Sequence, residues 1–303
     1  MRGDIVESRL LKGAGIVAGA TALAVGATCA VVAPRRGDTA VDVRWGVVRR
    51  HRYAHRGLHD LTSGIPENSV AAFRRARQHG FGAELDVHLT ADNQIVVIHD
   101  SDVRRMCGVP GIVEEMTLDQ VRRLRLAGTD ERIPTLDEVL SVFEPHEGED
   151  VPAPLIVEVK SYCDDEAILT EKTLATLDAH GVTYCVESFD PRVLSWLRRN
   201  RPDVVRGQLS QNFLRNDRRN GLALPVALGA TLLMGNVIGR PDFVAYRFED
   251  RHEVGAVCLA CGRLGAHLVT WTVRSEEDML QSEAEGAPVI FEGFVPTSIS
   301  TIR

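Results

Sequence analysis

Eight polar side chains, spread over more than two hundred residues, carry the chemistry that this sequence can support. His55 and Arg56 stand beside Gly57. Glu84 and Asp86 share one face of an alternating apolar run, because strand side chains point to opposite sides in turn. His99 precedes Asp100, and Glu158 and Lys160 again lie on a common face. Trp271 sits within Val269-Thr270-Trp271-Thr272-Val273. Carboxylates at the inward end of a strand are costly unless paired or bound to a metal. Glu84, Asp86 and Glu158 therefore read as an all-oxygen site for a hard divalent cation, Mg²⁺ or Ca²⁺. Arg56 and Lys160 supply positive charge suited to a phosphate, and His55 and His99 can exchange protons near neutral pH. Trp271 is a candidate substrate wall. Together the parts describe metal-assisted phosphoryl transfer. Each alone has a plainer reading: a salt-bridged strand rim for Glu-x-Asp, a turn for His-Arg-Gly, barrel packing for Trp271. His88 reads as a core or supporting histidine.

These residues need elements that bring them together. Short apolar runs at 52–54, 83–88, 95–99, 155–160, 184–187, 204–208, 243–246, 268–273 and 289–291 alternate with helical patterns at 69–79, 136–143, 165–180, 191–200 and 275–285. Asn68 or Ser69 can cap the first helix. That alternation indicates a parallel sheet or barrel, and barrel enzymes carry their catalytic groups at the C-terminal strand ends. Nine strands is one too many for an eight-stranded barrel. The surplus falls in 83–99, where Asp92-Asn93 reads as a turn that would set Asp86 opposite His99. Residues 101–134, with Gly108, Pro110 and Gly111, read as an insertion. Residues 222–239 form an apolar stretch broken by Pro225, readable as a buried helix or as a lipid-touching helix beside the site.

The order of the motifs is more specific than any member. His55-Arg56-Gly57, Pro66-Glu67-Asn68, Glu84-x-Asp86, His99-Asp100, Glu158-x-Lys160 and Trp271 together resemble the glycerophosphodiester phosphodiesterase family, as does Ile133-Pro134-Thr135-Leu136-Asp137-Glu138. The resemblance implies a (β/α)₈ TIM barrel with a small insertion. It implies an enzyme that hydrolyses glycerophosphodiesters to glycerol phosphate and an alcohol, in phospholipid metabolism. It also implies an acid/base pair at His55 and His99, metal ligands at Glu84, Asp86 and Glu158, and phosphate contacts from Arg56 and Lys160. One departure is that the last strand of that family usually ends in Thr-Asp, where this chain has Phe291-Glu292-Gly293. Two other functions fit the pattern: a phospholipase acting on lysophospholipids or phosphoinositides, and an inactive membrane-anchored barrel.

The 303 residues suit a single barrel behind a short leader. Residues 13–33 carry no charge and span about 31 Å as a helix, enough for a bilayer core. The expected organisation is an N-terminal transmembrane anchor at 1–34, a linker at 35–48 and the barrel domain at 49–303. A cleaved signal peptide is the rival reading of the leader. Arg35, Arg36, Arg44, Arg49, Arg50 and Arg52 follow the apolar run, so the positive-inside bias favours a single-pass protein with a cytoplasmic catalytic domain. A net charge of -7 and the lack of nucleic-acid motifs argue against a nucleic-acid partner. Six cysteines without framework spacing argue against a disulfide scaffold, and the single Cys258-x-x-Cys261 pair argues against zinc.

Overall fold

A computed structural model gives the coordinates, and the residues it describes are 28–35, 37, 39–145, 153–215 and 219–297. Eight parallel strands close into a barrel. They are β1 (Tyr53–Ala54), β2 (Gly82–Leu89), β4 (Leu155–Val159), β5 (Tyr184–Ser188), β6 (Arg206–Ser210), β7 (Phe243–Arg247), β8 (His267–Val273) and β9 (Val289–Phe291). Each pairs with the next, and β1 joins both β2 and β9 to complete the ring. The ninth strand, β3 (Ile95–Val97), runs antiparallel along the upper end of β2 and stands outside the closure. The expected surplus strand therefore lies where the Asp92-Asn93 turn suggested. The register differs by one residue: Val87 faces Val97, and the Ile98 amide donates to the Asp86 carbonyl, so Asp86 stands level with Ile98 rather than His99. The connection is longer than a tight two-residue hairpin, closing instead through Thr90 and Gln94.

The helices are α1 (Thr39–Val48), α2 (Val70–Gln78), α3 (Leu136–Phe143), α4 (Glu166–Ala179), α5 (Pro191–Asn200), α6 (Leu224–Thr231), α7 (Asn236–Gly239), α8 (Gly255–Gly262) and α9 (Glu276–Ala284), apart from isolated single turns. Their starts follow from capping chemistry. Ser69, Thr135, Asp190 and Ser275 each accept an amide hydrogen of the first turn, and Glu138 completes a capping box with Thr135. The main apolar layer lies between barrel and helices, joining Phe73, Leu85, Val157, Leu174 and Leu194. Residues 101–134 pack on a cluster of their own around Val103, Val113, Leu126 and Ile133.

Residues 39–48, expected within a linker, instead form α1. Val41, Trp45 and Val48 recur at helical spacing and bury one face against the barrel. Trp45 stacks on Phe243 and His267, the first residues of β7 and β8, with ring centroids 5.3 and 4.6 Å away. The helix thus seals the N-terminal mouth of the barrel. Inside that end, Tyr53 and Phe243 fill the space; a side chain on Gly207 would meet the Phe243 ring at 2.1 Å, so only glycine fits there.

The expected transmembrane run at 13–33 lies outside the described residues except for 28–33. Among the described residues no helix is long and apolar enough to cross a membrane.

Candidate active site

The polar end of the barrel begins at the close of β1. Its chain turns sharply, with Arg56 and Gly57 both at positive φ (53° and 77°). A side chain at Gly57 would meet the Ala72 Cβ at 2.8 Å, which explains why glycine follows His-Arg. The turn aims the Arg56 amide at Glu84 Oε2 (3.0 Å) and its guanidinium at Glu67 (2.7 Å) and Asp86 (3.5 Å). Pro66-Glu67-Asn68 supports this arrangement: buried Asn68 donates to Asp86 at 2.9 Å, and Ser69 caps α2.

Glu84 and Asp86 on β2 and Glu158 on β4 converge, as period-two alternation and parallel register require, because Asp86 pairs with Glu158 across the two strands. Each offers a carboxylate oxygen, and the three oxygens lie within 4.8 Å of one another. All three residues are buried. The Lys160 ammonium reaches into the group, 2.8 Å from Glu158 and 3.1 Å from Asp86. Burial and the neighbouring Asp86 and Glu158 push Glu84 well above the usual carboxylate range. Burial also lifts Glu158, to about 7, with Lys160 pulling the other way. Asp86 goes in the opposite direction: burial would raise it, but Lys160, His99 and Arg56 hold it well down. Burial works against the Lys160 charge, and Asp86 and Glu158 outweigh it, so the ammonium persists. An all-oxygen, buried, mutually repelling donor set fits a hard divalent cation.

Two histidines flank the acids, each steadied by a carboxylate. His55 Nδ1 lies 2.5 Å from Glu292, and its Nε2 lies 4.0 Å from Glu84. The hydrogen bond from His55 holds Glu292 down at about 2, so this carboxylate accepts and Nδ1 carries the hydrogen. Burial lowers the pKa of His55 against that pull, and its Nε2 faces the acids. His99 Nδ1 lies 2.6 Å from Asp100, which Arg105 grips from the other side. Burial lowers His99 to about 4, Asp86 opposes this, and Lys160 and Arg56 add to it.

The structure thus brings His55, Arg56, Glu84, Asp86, His99, Glu158 and Lys160 into one network. Trp271 stands apart from them. Its indole N–H donates to the Ala245 carbonyl at 3.2 Å, and its ring packs edge-on against Phe189, 5.8 Å away. Phe189, not Trp271, lines the cavity of about 780 Å³ that opens over His99, Glu158 and Lys160. The expected substrate wall is therefore one residue removed, with Trp271 as its backing.

Sequence reasoning missed several supporting groups. Glu292 holds His55, and its place just after β9 was the available signal. His88, expected as a core or supporting histidine, does support the site: it binds Glu114 at 2.6 Å and the His99 carbonyl at 3.1 Å, so it fixes the His99 backbone. Arg105 joins Glu67 (2.7 Å) to Asp100, and like Glu114 it comes from residues 101–134. Glu187 on β5 is a fourth buried carboxyl of the cluster, level with Glu158, and burial with the nearby Glu158 charge pushes it well above the usual carboxylate range.

Residues 55–292 match the glycerophosphoryl diester phosphodiesterase family. A glycerophosphodiester phosphodiesterase of Caldanaerobacter subterraneus subsp. tengcongensis is 30% identical over 82% of this chain and 96% of its own. The barrel superposes on a glycerophosphodiester phosphodiesterase from Parabacteroides distasonis with a TM-score of 0.61 at 24% identity, covering 80% of this chain and 92% of that one. It also superposes on an Oleispira antarctica phosphodiesterase solved in complex with the product sn-glycerol-3-phosphate, with a TM-score of 0.62 at 20% identity over 82% and 94%. The match begins at the histidine that closes β1 and ends at the glutamate that holds it, so it spans the whole network, and the chain belongs to the glycerophosphoryl diester phosphodiesterase family as an active-site-bearing phosphoric diester hydrolase.

Proposed function

We propose that the chain hydrolyses glycerophosphodiesters by histidine acid–base catalysis at a divalent-cation site, within phospholipid metabolism. The observation that carries this is the convergence of three buried carboxylates within 4.8 Å, flanked by two carboxylate-steadied imidazoles. Glu84, Asp86 and Glu158 would hold Mg²⁺ or Ca²⁺, which when bound offsets charge on phosphate oxygens and favours ionisation of a nearby hydroxyl.

The chain's own groups supply the rest. One imidazole Nε2 takes the proton of the attacking hydroxyl, from water or from the glycerol moiety. The other, protonated, gives its proton to the departing alcohol oxygen as the P–O bond breaks. Glu292 and Asp100 keep each ring oriented and stabilise its cationic form when it carries the extra proton. Arg56 and Lys160 balance the acids and face the phosphate. The Oleispira antarctica neighbour holds sn-glycerol-3-phosphate, which supports glycerol phosphate as one product here. We also propose that residues 13–33 anchor the enzyme in a cell membrane as a single pass with the barrel on the cytoplasmic side; protease protection in spheroplasts tests that placement.

The deciding experiment is a panel of glycerophosphodiesters offered to purified protein, first after EDTA and then with Mg²⁺ or Ca²⁺ restored, with products read by phosphorus NMR. Glycerol phosphate formed only with the cation is the expected result. Turnover that ignores chelation, or a cyclic phosphate as final product, would overturn the proposal.

A further inference from the structure

The barrel carries a second large cavity, at the end opposite the acids. It lies beside the starts of β6 and β7, where residues 30–35 meet the ends of α5 and α7, and it encloses about 760 Å³. Four guanidinium groups line it, those of Arg35, Arg198, Arg206 and Arg240, with Ala30 and Ala33 beside them. Among the described residues that line it none is acidic. The catalytic network uses none of them. The wall is a built feature. Val32 is buried and packs with Leu233 and Val257, Asn236 Nδ2 donates to the Val32 carbonyl (3.2 Å), and the Arg35 amide donates to the Pro241 carbonyl (3.0 Å).

Most of the arginine donors have neutral partners. Arg240 donates to the Ala30 (2.6 Å) and Ala33 (3.2 Å) carbonyls, Arg198 to the Ile238 carbonyl (3.1 Å), and Arg206 Nε to the Gly239 carbonyl (2.9 Å). A carbonyl takes up a donor and leaves the charge unbalanced. Among the described residues, Arg35 alone of the four pairs with a carboxylate, Asp242 at 2.9 Å. Arg206 is the telling member. It is 2% exposed, and its Nη1 has no hydrogen-bond partner. A desolvated cation with an unmade hydrogen bond is costly, and an anion in the cavity relieves both terms. A phosphate suits several converging guanidinium groups better than a carboxylate does, because it offers more oxygens and more charge.

We propose that this cavity is an anion site for a phosphate group, separate from the catalytic end. A soluble phosphate ester and the head group of an anionic phospholipid share that chemistry. Ala30 and Ala33 belong to the uncharged run 13–33 and border the cavity, so a lipid packed along that run would bring its head group to the arginines. Binding is non-covalent, and the site stands whether or not residues 13–33 span a bilayer.

The test uses the full-length chain in a neutral detergent, treated with EDTA so that the catalytic acids hold no cation. Inorganic phosphate and dihexanoylphosphatidic acid, the latter below its micellar concentration, are titrated by calorimetry. The wild type binds phosphate saturably, and Arg198→Gln with Arg240→Gln weakens binding by about tenfold for each guanidinium removed. Arg198→Glu, a charge reversal at an exposed position, is the second variant and decides alone where the double one does not fold. Both keep the wild-type kcat/KM on glycerophosphocholine once Mg²⁺ or Ca²⁺ is restored. Phosphatidic acid bound about tenfold tighter than phosphate identifies a lipid as the source, and equal affinity identifies a soluble phosphate; either result supports the site. No saturable binding in the wild type, wild-type affinity in the folded variants, or a kcat/KM that falls in step with phosphate affinity overturns it. If no diester is turned over at all, the hydrolytic reading fails on its own, and the binding comparison still decides the site.

Discussion

The two ends of the barrel are built on opposite principles. At the N-terminal end, Trp45 covers an interior of Tyr53, Ile156, Phe243 and Ile290, packed so tightly that Gly207 admits no side chain. Toward the other end of the barrel, Glu84, Asp86, Glu158 and Glu187 are crowded together, with Lys160 and Arg56 to offset them. One end lowers the free energy of the fold by burying apolar surface. The other raises it by desolvating like charges, a cost tolerated because the same crowding creates an appetite for a cation. Stability and function are thus separated along one barrel axis, and substitutions at the two ends should have opposite signatures.

The largest effect is expected at the acidic end. Glu158→Ala or Glu84→Ala should reduce hydrolysis to background while the melting temperature of the metal-free protein stays level or rises; an active variant, or one that unfolds, would break the contrast. Replacing either histidine by alanine should lower kcat/KM by about 10²–10⁴ with the fold unchanged. Glu292→Gln, which keeps the contact but removes the charge, should cost less than His55→Ala and should displace one limb of the pH–rate profile, measurable by steady-state kinetics.

At the apolar end, Trp45→Ala should destabilise by about 3–5 kcal/mol, read by denaturant unfolding, with kcat/KM on a small diester unaltered at low temperature. The smallest effect sharpens the sign of the acidic end. Glu158 titrates at about 7 in the fold, against about 4.3 when unfolded. A raised carboxyl favours the fold while protonated, so its contribution is complete below the unfolded value and is lost as pH rises through the folded one. Metal-free wild type should therefore lose melting temperature relative to Glu158→Gln between about pH 4 and pH 7, and the gap should close when Mg²⁺ or Ca²⁺ is added.

Much of this was legible in the sequence because it is periodic or local. Alternation put Glu84 with Asp86 and Glu158 with Lys160, and the first barrel helix was bounded by the cap at Ser69, whose chemistry needs no tertiary partner. β6 was harder. The apolar pair Val204-Val205 suggested 204–208, but the strand runs Arg206–Ser210, because Arg206 is buried by bonds to the Gly239 carbonyl and Asp242 that lie more than thirty residues away. α1 was missed since a ten-residue helix with a glycine in its last turn has little helical preference of its own and forms by docking Trp45 on the barrel.

The sequence by itself determined which groups were available and which face of each strand they occupied, since a period of two is a property of the chain. Only the tertiary structure decided how they pair: that Glu292 rather than another acid steadies His55, that Arg105 reaches back to Glu67 and Asp100, that Trp271 backs Phe189, and that an apolar helix walls the cavity. Apart from Arg105 with Asp100, those contacts join residues far apart in the chain, and their geometry is set by ring closure of the barrel, which no local pattern encodes.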